Sequence, residues 1–153
     1  MAVTARLALN RLDVGAELAA FTQGRLEDGA VVSFTGLARG HDRQGEAVEV
    51  LRLDWHPVMT ERSLVELAEA TRTRFAVSDV LVVHRAGEIM PGEAIVFVAA
   101  AAPHRRVAFV AADYLMDRLK TEAMFWKHER GPGGGRWIEP TEQDCADRAR
   151  WSD

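Results

Sequence analysis

Val80-Leu81-Val82-Val83-His84-Arg85 and Ala94-Ile95-Val96-Phe97-Val98-Ala99-Ala100-Ala101-Ala102, divided by Met90-Pro91-Gly92-Glu93, decide the fold class. Both flanking runs are apolar and of strand length, the pattern of strands buried in a core. Between them, proline presets φ and glycine permits a positive φ, which makes a turn. Pro103-His104-Arg105 then leads into Val107, Val110, Ala111, Tyr114, Leu115 and Leu119 at helical spacing. Strand, turn, strand and amphipathic helix in that order predict helices packed on a sheet.

Working outward, the upstream chain repeats the theme. Arg6 to Leu12 alternates like a short strand, and Asp13 is placed to cap a helix over Val14 to Phe21. Ala30 to Gly36 is β-rich, Gly40 to Gly45 is a polar glycine-bounded loop, and Val48 to Trp55 alternates again. Pro57 opens a helical stretch to about Phe75. Downstream, Gly131-Pro132-Gly133-Gly134-Gly135 predicts a break in regular structure, Arg136 to Glu139 a terminal strand, and the charged tail from about 140 a helix. The expected class is α+β, a mixed or antiparallel sheet with packed helices, in a single domain over residues 1–153.

Composition excludes several functions. Hydrophobic residues make up 48% and charged residues 27%, enough apolar material for a core. A formal net charge of -4 argues against a general nucleic-acid binder, and no apolar run approaches the ~20 residues that cross a bilayer. Cys145 is the one cysteine, so no internal disulfide and no cysteine metal spacing exists; a reducing, cytoplasmic setting is the simplest reading. The five histidines lack the spacing of a metal site, and neither a metal nor another cofactor is expected.

Three clusters carry candidate chemistry. Among nineteen Lys and Arg residues, only Lys120 and Lys127 are lysines, seven positions apart. A lysine offers a compact ammonium whose pKa falls on desolvation, which Arg cannot do. On one continuous helix the pair would lie on one side, roughly 10 Å apart along the axis. Phe125 and Trp126 beside Lys127 could form apolar walls, although such a pair is more often core than a binding platform. His104 and Arg105, with Arg106, sit where a helix N-terminus would start, a poor place for cations unless an anion binds there. Arg39, between Gly36 and Gly40 at a strand end, could grip a phosphate or carboxylate; taken alone, it reads better as an exposed arginine on a hairpin.

Read together, these segments resemble the large subunit of molybdopterin synthase. The resemblance runs from about Ala30 to Trp151, through Gly29 to Gly36, Ala38-Arg39-Gly40, Val82 to Glu88, Pro91 to Ala94, Pro103-His104-Arg105, Met116 to Lys120, Trp126-Lys127 and Arg136-Trp137. It implies an α/β hammerhead-type domain with additional β structure. It also implies transfer of sulfur from the C-terminal Gly-Gly thiocarboxylate of a small ubiquitin-like carrier subunit to cyclic pyranopterin monophosphate, forming the dithiolene of molybdopterin. The implied assembly is a homodimer carrying two small subunits, a heterotetramer.

By the same resemblance Lys120 and Lys127 are the catalytic lysines, and Arg39, His104 and Arg105 bind substrate. Leu37, Ala38 and Arg39, and Lys127, His128 and Glu129, would line the same pocket. Leu37 and Ala38 replace a Thr-Val pair usual in relatives. Met124 stands where many relatives have proline, which predicts a helix running closer to Lys127. Two other readings compete: a Schiff-base lysine enzyme, and a non-catalytic module that binds a phosphorylated ligand or a partner.

Overall fold

The computed structural model describes residues 3–151. Over them the chain forms β1 (Val3–Ala8), α1 (Val14–Thr22), β2 (Ala30–Leu37), β3 (Val50–Trp55), α2 (Met59–Phe75) and β4 (Asp79–Arg85). It continues through β5 (Gly87–Ile89), β6 (Ala94–Ala102), α3 (Arg105–Glu122), β7 (Phe125–Gly131), β8 (Gly134–Ile138) and α4 (Glu142–Ala149). Two four-stranded sheets result, in the orders β1-β4-β6-β2 and β5-β3-β7-β8. The first is mixed, because β1 runs parallel to β4 while the β4–β6 and β6–β2 pairs are antiparallel. The second is antiparallel throughout. The α+β expectation holds.

The apolar runs of β4 and β6 are continuous because both faces of their sheet are covered. Val80, Val82, Val96, Val98, Ala100 and Ala102 face α2 and α3, meeting Leu64, Leu67, Ala108, Ala111, Leu115 and Leu119. The alternate residues Leu81, Val83, Phe97, Ala99 and Ala101 pack with Phe21 of α1. A third small cluster of Ala38, Leu53 and Ile89 fixes the second sheet to the end of β2.

Several local expectations are corrected. β1 ends at Ala8 instead of continuing to Leu12, because its partner β4 ends there too, with Ala8 opposite Arg85. Asp13 caps α1 as expected, its Oδ1 accepting from the Ala16 N–H at 3.0 Å. α2 begins at Met59, two residues after Pro57, and the His56 Nδ1 accepts from the N–H groups of Val58 and Met59. The 87–89 strand had no signal of its own in the sequence.

The largest correction is the glycine run, which lies within a hairpin instead of breaking one. At Gly131 a Cβ would stand 2.1 Å from the Ala47 carbonyl oxygen, and at Gly135 it would stand 2.4 Å from the His128 ring. These glycines permit close approach of neighbouring groups to a regular strand pair, and Pro132-Gly133 make the turn between β7 and β8.

The tail forms α4 through a capping box: the Thr141 hydroxyl accepts from the Asp144 N–H, and the Asp144 carboxylate accepts from the Thr141 N–H. Arg148 reaches Glu122 at 2.5 Å, and the Trp151 indole N–H reaches Asp117 at 2.6 Å, so α4 lies along α3.

Candidate functional site

Several segments meet at a crevice between the two sheets. The end of β2 contributes Phe34, Gly36 and Leu37; the last turns of α3 contribute Met116, Lys120 and Thr121; β7 contributes Phe125 and Lys127; the start of α4 contributes Asp144. The inner part is a cavity of about 280 Å³. An outer part of about 510 Å³ shares Leu37, Arg43, Lys120, Lys127 and Asp144 with it and adds Arg39, Glu129 and Arg136.

The two lysines reach this crevice by a route other than one helix. α3 stops at Glu122, and Ala123 adopts an extended conformation (φ -68, ψ 139). Met124 does not carry the helix onward, because its carbonyl accepts from the Thr60 hydroxyl at 2.7 Å and its N–H donates to Ser63 at 3.2 Å. Both partners belong to α2, and they hold the chain as it turns into β7. Lys120 therefore projects from a helix and Lys127 from a strand.

Alternation along β7 sorts its side chains. Lys127 and Glu129 face the crevice, whereas Trp126 and His128 point to the other side of the sheet. His128 lies edge-on to Trp137 at 4.9 Å and Trp126 is exposed, so neither lines the pocket. Of the expected apolar walls only Phe125 is present, and it stacks on His84 at 4.1 Å.

A register shift between Gly36 and Leu37 bends the end of β2. It turns Leu37 into the inner cavity and Arg39 into the outer one. Ala38 is buried, and its backbone exchanges hydrogen bonds with the 90–93 turn, from its N–H to the Glu93 carbonyl and from the Gly92 N–H to its own carbonyl. It holds the bend from beneath and does not line the crevice.

His104 and Arg105 are not brought to the crevice of their own chain. They begin α3 and Lys120 lies in its last turn; fifteen residues of helix give a rise of about 22 Å. Leu37, Arg39, Lys120, Lys127 and Glu129 thus converge, while Ala38, His104, Arg105 and His128 lie elsewhere.

Electrostatics follow from this packing. Burial lowers the Lys127 pKa to about 8, nearby Lys120 and Arg43 push the same way, and Asp144 and Glu129 oppose them. Burial also works against the Asp144 carboxylate, but hydrogen bonds from the Thr141 backbone and hydroxyl, with the charges of Lys120 and Lys127, hold its pKa below the usual value. Burial lowers His84 to about 4, with Lys127 and Lys120 adding to the effect. Lys127 is consequently an amine that exchanges a proton near neutrality, beside anionic Asp144 and neutral His84.

Sequence reasoning missed Arg43, His84 and Asp144 as crevice residues. Arg43 sat in a polar loop, His84 in an apolar strand and Asp144 in a charged tail, and only packing joins the three. Among the described residues no three His, Cys, Asp or Glu side chains stand together as metal ligands, and no helix is long and apolar enough to cross a membrane.

A family model described as "MoaE protein" matches residues 7–122. The molybdopterin synthase catalytic subunit of Caulobacter vibrioides is 56% identical over 137 residues, covering 90% of this chain and 89% of that protein. The Escherichia coli protein of the same name is 47% identical over 127 residues, covering 83% and 84%. Among solved structures, the molybdopterin biosynthesis MoaE protein of Burkholderia ambifaria superposes with a TM-score of 0.82 at 38% identity, covering 98% of each chain. A molybdopterin synthase structure from Staphylococcus aureus superposes with a TM-score of 0.80 at 26% identity, covering 88% of this chain and 96% of that one.

Proposed function

The chain belongs to the MoaE family of molybdopterin synthase catalytic subunits, and on that premise we propose that its crevice is where sulfur passes from a carrier protein to a pterin. The donor is the C-terminal Gly-Gly thiocarboxylate of a small ubiquitin-like subunit, and the acceptor is cyclic pyranopterin monophosphate. The exposed free thiol of Cys145 fits a reducing, cytoplasmic setting.

One observation carries the assignment of roles: two ammonium groups from different elements line one cavity, and one of them titrates near pH 8. Lys120 contacts the thiocarboxylate or its acyl carbon and stabilises the negative charge that develops there. Lys127 binds the anionic substrate and assists proton transfer, for which a pKa near the working pH is suited. Arg39, in the outer crevice, holds phosphate. Asp144 balances the paired cations.

His104 and Arg105 take part from a second copy. About 22 Å of helix separates them from their own Lys120, whereas in a twofold dimer the start of one α3 serves the crevice of the other chain. The full assembly is then a dimer with one small subunit per crevice, a heterotetramer.

The direct test combines this protein with a thiocarboxylated small subunit and the cyclic pterin, and follows the dithiolene product. Formation of product that requires both partners supports the reading. Binding of the pterin with its release unchanged would leave only a ligand-binding module.

A further inference from the structure

His84 is a buried titratable group that the proposed chemistry does not use. It occupies the penultimate position of β4, pairs with Val96 of β6, and is 7% exposed. Its ring stacks on Phe125 with centroids 4.1 Å apart and planes 23° from parallel, and it borders the inner cavity. Its Nδ1 lies 2.8 Å from the Arg85 carbonyl oxygen.

That contact fixes the tautomer. A carbonyl oxygen only accepts, so Nδ1 must carry the hydrogen, and in a neutral ring Nε2 is then a bare lone pair. The ring borders the inner cavity, and Lys120 and Lys127 line the same space. The charged groups around that cavity are Lys120 from α3, Lys127 from β7, Arg43 from the loop after β2, Glu139 just after β8 and Asp144 in the first turn of α4. The lone pair belongs to a ring that shares one cavity with two amines able to donate to it.

We infer that His84 is a positioning residue for Lys127: the Arg85 carbonyl locks its imidazole so that Nε2 accepts one N–H of the Lys127 amine and orients that amine toward substrate. This inference rests on the assignment of Lys127 to the reaction. Stacking on Phe125, two residues before Lys127 on the same strand, gives the ring its fixed place relative to that amine. Burial keeps the ring neutral at physiological pH, with a pKa near 4, so the acceptor persists and no third positive charge enters the crevice.

The test uses His84→Phe, which keeps an aromatic ring on Phe125 and removes the acceptor, and His84→Gln, which restores an acceptor near Nε2. In the assembled synthase, His84→Phe should lower kcat by about tenfold or more with KM changed less than about twofold, and His84→Gln should recover much of the loss. Nitrogen NMR of the Lys127 amine reads the contact without any turnover. An acceptor stabilises the ammonium, so its loss in His84→Phe should move the Lys127 pKa further below 8.

A ring that merely packs predicts no change, or a rise as water enters; either result overturns the inference. So does equal impairment of the two variants. Wild-type imidazole NMR needs no variant to fold: Nδ1 should be protonated, Nε2 bare, and the Nε2 resonance should shift as Lys127 titrates. A hydrogen on Nε2, or a silent Nε2, overturns the inference. Should wild-type protein make no dithiolene while these resonances behave as described, the synthase reading fails and the His84–Lys127 contact stands.

Discussion

Lys120 and Lys127 line the same cavity from different secondary structures, the first from the final turn of α3 and the second from β7, with the end of the helix between them. The separation is useful chemically. A helix end and a strand held to α2 by Thr60 and Ser63 give the two amines independent supports, so one can be altered without displacing the other.

That independence makes Lys120→Ala a clean substitution. Product formation should fall at least a hundredfold, while binding of the small subunit changes little, because a side chain at the crevice contributes little to the rest of a protein interface. Single-turnover product analysis paired with a binding titration checks both parts. Near-normal turnover would remove Lys120 from the chemistry.

Lys127 sets a pH dependence. Its lowered pKa means the amine loses its proton as pH rises through about 8. If it accepts a proton during turnover, kcat should climb with pH and level off above 8. Lys127→Arg, which stays protonated, should be at least about tenfold slower and lack that limb. A flat wild-type profile between pH 6.5 and 9 would contradict the role.

Mixing two inactive variants tests the contribution of a second copy. In a dimer re-formed from Lys120→Ala and Arg105→Ala chains, one crevice collects both defects and the other neither. Random pairing should therefore restore about a quarter of wild-type activity. If Arg105 acts within its own chain, mixing restores none.

His84 makes stability sensitive to acid. Its folded pKa of about 4 lies below the ordinary 6.5, so between these values the unfolded chain binds a proton that the folded chain refuses. Stability contributed by the neutral ring is full above 6.5 and declines as pH falls toward 4, by on the order of 3 kcal/mol at the lower end. Denaturant titrations across that window should show the decline in wild type and a shallower one in His84→Phe.

Gly131→Ala should destabilise the fold by about 1 to 3 kcal/mol. A Cβ there would meet the Ala47 carbonyl oxygen at 2.1 Å, and backbone cannot move aside as a flexible side chain can. Gly133→Ala, with nothing within 4 Å, should cost less than about 1 kcal/mol. Thermal unfolding of the two variants gives the comparison.

Much of this architecture is written in local pattern. Continuous apolar runs in β4 and β6, the capping residue before α1 and the helical spacing of α3 each report on neighbours within a few residues. The glycine run misled because glycine has two uses, a turn and a close approach, and only the position of Ala47 shows which applies at Gly131. Trp126 misled in another way: adjacency to Lys127 suggested a shared pocket, but a strand sends adjacent side chains to opposite faces, and His128, expected in the pocket from the resemblance, turns away for the same reason.

The sequence by itself determined the α+β class, the scarcity of lysine that singled out Lys120 and Lys127, and the ordered motifs that define the family. Tertiary structure alone decided what surrounds those amines: Arg43, His84 and Asp144 come from segments 41 to 101 residues apart in the chain. It also decided that His104 and Arg105 stand at the far end of their own helix. Short-range pattern follows from backbone geometry, which repeats every two or 3.6 residues. Convergence follows from how sheets and helices stack, and no local period encodes it.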